Sequence, residues 1–193
     1  MDKLANRISS EGRYLGNGII KVNSFLNHCV DTTLMTEIGQ ELARQLRDAC
    51  SSSITKVVTA ETSGIPPALM TAQALGVPMI YARKKRPVTM EGEVYCASVR
   101  SHTKGNIVDL NIAAEYLDAD DNLVLVDDFL GSGETAAAML DVIGQSPASL
   151  CGVGFVFEKL YENGRQALEP LPVPVISLVA VDVVGDKIVV QGQ

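Results

Sequence analysis

The sequence contains no tryptophan, only two histidines and only four cysteines in 193 residues. A histidine-rich metal centre or a Ser-His-Asp triad would have to be built from His28 and His102 alone, which argues against both. Cys29, Cys50, Cys96 and Cys151 form no C-x-x-C pair and no zinc spacing. They read as small packed hydrophobes in a reducing compartment. Basic charge is scarce as well: 16 Lys and Arg stand against 23 Asp and Glu, a formal net charge of −7. Nucleic-acid binders lean basic, so DNA and RNA are poor partners. No apolar run is long enough to span a bilayer. The first eleven residues carry Asp2, Lys3, Arg7 and Glu11 where a secretory signal would need an apolar stretch. The expectation is a cytoplasmic chain with no membrane partner.

What is present reads as an ordinary globular protein, 47% apolar and 20% charged, long enough for one α/β domain over 1–193. An opening helix is predicted over 2–10 and a loop with a short strand over 14–27. Leu34, Ile38, Leu42 and Leu46 recur every four residues and predict an amphipathic helix over 32–46, capped by Asp31 or Thr32. Short apolar runs follow at 56–60, 78–82, 123–126, 152–157 and 173–181, the pattern of parallel strands buried on both faces. Helical segments at 66–75, 135–144 and 164–168 alternate with them, which predicts right-handed βαβ units. About forty residues between the second and third runs exceed a simple crossover. Within them, 94–99 and 107–112 predict an inserted hairpin, and 183–190 predicts a last hairpin turning at Gly185-Asp186.

One segment carries the chemistry. Leu123 to Val126 form a strand, Asp127 and Asp128 follow at its carboxyl end, and Gly131-Ser132-Gly133-Glu134-Thr135 leads into a helix. Ligands of open α/β sheets bind at the carboxyl ends of strands. A small-residue loop at a helix N-terminus offers free N–H groups and the positive end of the dipole, which suits a phosphate. Two carboxylates before that loop suit a pair of cis sugar hydroxyls. No Lys follows Gly133, which excludes a Walker A loop, and a third glycine of the dinucleotide fingerprint is missing. A phosphate beside a diol is a 5-phosphoribosyl group. Two further segments fit an anionic ligand: Ser63-Gly64 after the first core strand, and the basic run Arg83-Lys84-Lys85-Arg86, which opens the long insertion.

The 123–135 segment resembles the phosphoribosyl-diphosphate (PRPP) motif of type I phosphoribosyltransferases. It departs from that motif at Phe129, where an aliphatic residue is usual, and at Gly131. In the hypoxanthine-guanine enzymes an Asp at the position of Gly131 lies near the base N7, a role that glycine cannot fill. Asn23 to His28, Ala82-Arg83-Lys84, Asp127 to Leu130 and Phe157-Glu158-Lys159, in that order, are similar to the xanthine enzymes of the adenine-enzyme-like type over nearly the full length.

The resemblance implies the type I phosphoribosyltransferase fold: a central, mostly parallel sheet flanked by helices, a small hood from about 1–30 plus the C-terminal segment, and a flexible lid over about 83–106. It implies Asp127, Asp128 and Lys84 as catalytic residues. It implies PRPP binding by Ser63, Gly64, Gly131, Ser132, Gly133, Glu134 and Thr135, with Ser101 to Lys104 at the tip of the lid. Ile20 and Asn27 would contact the purine, and Lys159 its 6-oxo group. Mg²⁺ would be held through PRPP rather than by direct protein ligands, reaching Asp127 or Asp128 through water, and a homodimer is implied. The expected reaction joins PRPP to xanthine, giving xanthosine 5′-monophosphate and pyrophosphate. Hypoxanthine, guanine or adenine as the base, and a non-catalytic PRPP-sensing regulator, stand as alternatives.

Overall fold

A computed structural model describes residues 1–100 and 107–191. The chain runs through α1 (Asp2–Glu11), β1 (Arg13–Tyr14), β2 (Ile20–Lys21), a π-helical turn (Asn23–Asn27), α2 (Thr32–Ala49), β3 (Lys56–Ala60), α3 (Ile65–Leu75) and β4 (Met79–Ala82). It continues through β5 (Val94–Arg100), β6 (Ile107–Ala113), β7 (Asn122–Leu130), α4 (Glu134–Gly144), β8 (Ser149–Lys159), α5 (Gly164–Leu168), β9 (Val175–Val184) and β10 (Lys187–Gln191). The central sheet has the order β10-β9-β8-β7-β3-β4, all parallel except β10, which turns back on β9 at Gly185-Asp186 as predicted.

Side-chain alternation explains why this sheet is covered on both faces. Along β7, Val124 and Val126 join one buried cluster with α1, α2 and α3 residues, while Leu123 and Leu125 join another with residues of α4 and β6. Val57 and Val58 of β3 divide in the same way. This is the two-sided burial expected of parallel strands. Phe155 and Phe157 are fully buried on β8, and truncating either to alanine is expected to cost about 3–5 kcal/mol. The cap of α2 is Asp31: the Leu34 N–H donates to its Oδ1 at 3.0 Å. Arg7 of α1 donates to the same carboxylate at 2.9 Å and lies over the Phe25 ring. Together these bonds anchor the N-terminal segment to α2. The C-terminal hairpin lies on the same side, with α1 and β1 packed against β10.

The inserted hairpin exists as an antiparallel pair, from Val94 opposite Ala113 to Arg100 opposite Ile107. Its base packs on α4, and the Gln145 side chain both donates to and accepts from the Cys96 backbone. The expected lid tip, Ser101 to Lys104, lies outside the described residues.

The largest departure from sequence expectation is in β7. The strand does not stop at Val126 but runs through both carboxylates to Leu130, with Phe129 opposite Phe157 and Leu130 opposite Glu158. Asp is depleted in strands. Here the flanking strand supplies the ladder partners and carries the two acids along.

Candidate active site

From β3 the chain steps outward to β4, and from β7 it steps the other way to β8 and β9. The strand order therefore reverses between β3 and β7, and a crevice opens at their carboxyl ends, where ligands of such sheets bind. The loop after β3 carries Ser63 and Gly64, and the loop after β7 carries Gly131 to Gly133. A cleft of about 590 Å³ occupies this place. Its wall includes Ile20, Asn27, Ser63, Asp127, Asp128, the whole 129–135 stretch, Lys159 and Glu162. Residues separated by more than a hundred positions thus meet in one cavity.

At one end the surface is mostly backbone. Gly133 sits at φ +84° as the N-cap of α4, a left-handed conformation that glycine adopts without steric cost. Ser132 and Thr135 place hydroxyls at the helix start, where backbone N–H groups gather. The loop rests on Gly164, the first residue of α5. A Cβ there would stand 2.0 Å from the Gly131 carbonyl oxygen and 2.8 Å from the Gly133 nitrogen. Arg165, the next residue, holds buried Glu158 of β8 through Nε at 2.8 Å and also donates to the Ser177 hydroxyl at 2.9 Å. α5 is thereby pinned to the sheet and buttresses the loop.

Asp127 and Asp128 stand side by side in the middle. The Asp128 N–H donates to Asp127 Oδ1 at 2.9 Å, and the Phe129 N–H donates to Asp128 Oδ1 at 3.0 Å. Burial pushes the Asp127 carboxyl well above the ordinary carboxylate range, and the charge of Asp128 adds to the rise. Burial raises Asp128 too, opposed by hydrogen bonds from Asp127, from the Phe129 backbone and from the Asn27 side chain. Two adjacent acids, desolvated and held in a strand, stay ready for hydroxyl groups or cations.

The other end is made of side chains. Lys159 Nζ donates to the Gly18 carbonyl at 3.1 Å and to Glu162 Oε1 at 3.0 Å, and lies 5.7 Å from the Phe129 ring centroid. Phe129 in turn packs on Phe157, with ring centroids 4.1 Å apart. Tyr161 donates to the Gly18 carbonyl at 2.8 Å, while the Gly18 N–H donates to the Tyr14 hydroxyl at 3.2 Å. The loop between β1 and β2 is clamped in this way over the cleft. Asn27 Oδ1 is buried with no hydrogen-bond partner among the described residues. An orphaned buried acceptor is costly unless a ligand donor meets it.

Two expected residues lie outside the cleft wall. Gly64 is buried behind it: a Cβ there would come within 2.4 Å of Asp127 Oδ1 and 2.2 Å of Thr59 Oγ1, so glycine lets the 61–64 loop close against the acid. Lys84 is exposed, with its backbone N–H donating to Glu61 Oε1 at 2.8 Å, and its charge opposes the rise at Asp127. Sequence reasoning missed Glu162 and Gly164. Their available signals were the three-residue spacing of Glu162 from Lys159 and an Asn-Gly pair at a helix start, Asn163 having φ 55°.

The sequence matches the family described as "Phosphoribosyl transferase domain" over residues 30–166. It is 49% identical over 178 residues to the xanthine phosphoribosyltransferase of Deinococcus deserti, covering 92% of this chain and 91% of that protein. It is 45% identical over 181 residues to the enzyme of the same name from Moorella thermoacetica, covering 94% and 91%. In fold it is similar to the adenine phosphoribosyltransferase of Trypanosoma brucei, with a TM-score of 0.75 at 16% identity, covering 92% of this chain and 79% of that one.

Proposed function

This chain belongs to the phosphoribosyl transferase family, and from that premise we propose that it transfers the 5-phosphoribosyl group of PRPP to xanthine. The observation that carries the reading is one cleft joining a phosphate-binding helix start, an acid pair and a lysine-lined base pocket. The relatives named for this reaction match along nearly the whole chain and support it.

The 5′-phosphate sits on the N–H groups and hydroxyls of 131–135, favoured by the positive end of α4. Asp127 and Asp128 accept hydrogen bonds from the ribose 2′ and 3′ hydroxyls. The pyrophosphate lies along Ser63 and the backbone of the 61–64 loop, with Lys84 closing on it from the basic run to neutralise the leaving group. Asn27 Oδ1 accepts a base N–H, Ile20 packs on the ring, and Lys159 donates to the 6-oxo oxygen. An ammonium suits an oxo group and opposes the donor amino group of adenine. The cleft thereby holds N9 in line with the anomeric carbon, and displacement proceeds through oxocarbenium character at that carbon. No covalent nucleophile is required.

Among the described residues no group of three or more His, Cys, Asp or Glu side chains comes together to hold a metal ion. Asp127 and Asp128 offer adjacent hard oxygen ligands in the cleft, which would suit Mg²⁺ carried on PRPP. When bound, that ion neutralises charge on the leaving pyrophosphate.

Among the described residues no helix is long and apolar enough to cross a membrane. The four cysteines are unpaired, which suits the reducing cytoplasm where we place the enzyme. A homodimer is favoured by exposed Leu69 and Tyr81 on α3 and edge strand β4. The test is to supply PRPP, Mg²⁺ and xanthine and to follow xanthosine 5′-monophosphate by chromatography. Product dependent on all three is expected. Tight PRPP binding without product from any purine would mark a binding protein instead.

A further inference from the structure

We propose that Glu162 is a catalytic residue: its carboxylate accepts the N7 proton of the purine as N9 attacks. This rests on the base reading given above. Glu162 lines the cleft from the turn that follows β8. Its carboxylate lies between the 131–133 loop and the loop that carries Gly18, where the two ends of the cleft meet. A Cβ on Gly131 would stand 2.7 Å from Oε2, and a Cβ on Gly18 would stand 3.2 Å from Oε1. The volume that a side chain at 131 would fill is therefore occupied by a carboxylate from another element.

Its partner fixes which edge of the base it reads. Lys159 Nζ and Glu162 Oε1 are 3.0 Å apart, one a donor and the other an acceptor. On a 6-oxopurine protonated at N7, the oxygen and the N7–H are an acceptor and a donor about 3 Å apart on one edge, close enough for paired groups to read together. The ion pair matches that edge and opposes adenine, whose amino group would face the ammonium.

The proton balance requires such an acceptor. For N9 to attack with a lone pair, a neutral oxopurine must carry its imidazole proton on N7. The N9–C1′ bond forms and the C1′–O bond to pyrophosphate breaks, its electron pair leaving with the pyrophosphate. The imidazole ring then carries a positive charge. Transfer of the N7 proton to Glu162 returns the N–H electron pair to the ring and gives neutral nucleotide. Water afterwards takes the proton from the carboxylic acid.

Two unreactive bases test this. 9-Deazaxanthine presents N7–H, and 7-deazaxanthine presents carbon at that position. With Mg²⁺ and pyrophosphate present, calorimetry should show the wild-type protein binding the 9-deaza compound roughly tenfold or more tighter, as a charge-assisted hydrogen bond implies. Glu162→Ala should abolish that preference. Glu162→Gln keeps an acceptor oxygen and should keep the preference, while its kcat with xanthine falls about a hundredfold, the lower range for lost acid–base catalysis. A preference that persists in Glu162→Ala, or a Glu162→Gln variant turning over within about threefold of wild type, would overturn the proposal while leaving the xanthine assignment intact. Wild-type protein that binds neither compound would sink the base assignment and this proposal with it.

Discussion

At the phosphate end of the cleft, one continuous segment from Asp127 to Thr135 supplies the acids, the loop and the helix start. At the base end, Ile20 and Asn27 come from the N-terminal segment, Lys159 from the last position of β8 and Glu162 from the turn beyond it. The first end presents mostly backbone, and in the proposed reading it would tolerate little change in chain path. The second presents side-chain tips held by their neighbours, such as Lys159 between Gly18 and Glu162. The chemistry common to a family belongs on the rigid end, and the choice of base belongs on the end where one substitution can alter a donor.

The largest expected effect breaks the rigid end from behind. In Gly164→Ala the new methyl would press on the Gly131 carbonyl and shift the loop. Displacement of a binding group by about 1 Å can cost roughly a hundredfold, so kcat/KM for PRPP should fall by about that factor, equally for every base.

Asp127→Asn comes next. Losing a charged hydrogen-bond partner of the ribose should cost about 1.5–3 kcal/mol, or roughly ten- to a hundred-fold in kcat/KM, again whichever base is offered. The same variant should be more stable than wild type at neutral pH. The folded acid pair binds a proton more tightly than an unfolded carboxyl, so wild-type stability falls as pH rises from the ordinary carboxyl range through the raised value. Thermal melts should show the gain at neutral pH and its disappearance in acid, where the carboxyls are protonated in both states.

Lys159→Ala sharpens the comparison from the other side. Loss of one charged donor should lower kcat/KM for xanthine about tenfold, with adenine unaffected or improved and PRPP affinity unchanged.

The smallest effect is expected away from the cleft. Arg44 holds the Glu41 carboxyl down at about 2. A depressed carboxyl stabilises the fold above its ordinary range and loses that contribution as pH falls towards 2. Arg44→Ala should cost about 0.3–0.5 kcal/mol at neutral pH, as for other exposed helix pairs, with kinetics at both ends unchanged.

The two ends also differed in how far the sequence disclosed them. The phosphate end was readable because strand, acids, glycines and helix start follow one another in the chain. Gly64 was read as a place where backbone approaches an anion, yet its nearest neighbours are Thr59 and Asp127, because strand packing decides the spacing there. The full length of β7 was hidden by its acids, which local preference places outside a strand. A local rule broken in this way marks a functional site. Glu162 and Gly164 were missed because their local spacing does not show where they act, which is across space on a loop some thirty residues earlier. No pattern along the chain records that a carboxylate fills the room above Gly131.

Side-by-side steady-state turnover of wild type and Lys159→Ala with PRPP and Mg²⁺, offering xanthine, guanine, hypoxanthine and adenine in turn, tests most directly whether the base end sets the substrate. Wild type should prefer xanthine, and the variant should lose that preference while keeping its KM for PRPP. A wild-type preference for another purine, or a variant that keeps the same ranking, would contradict the account.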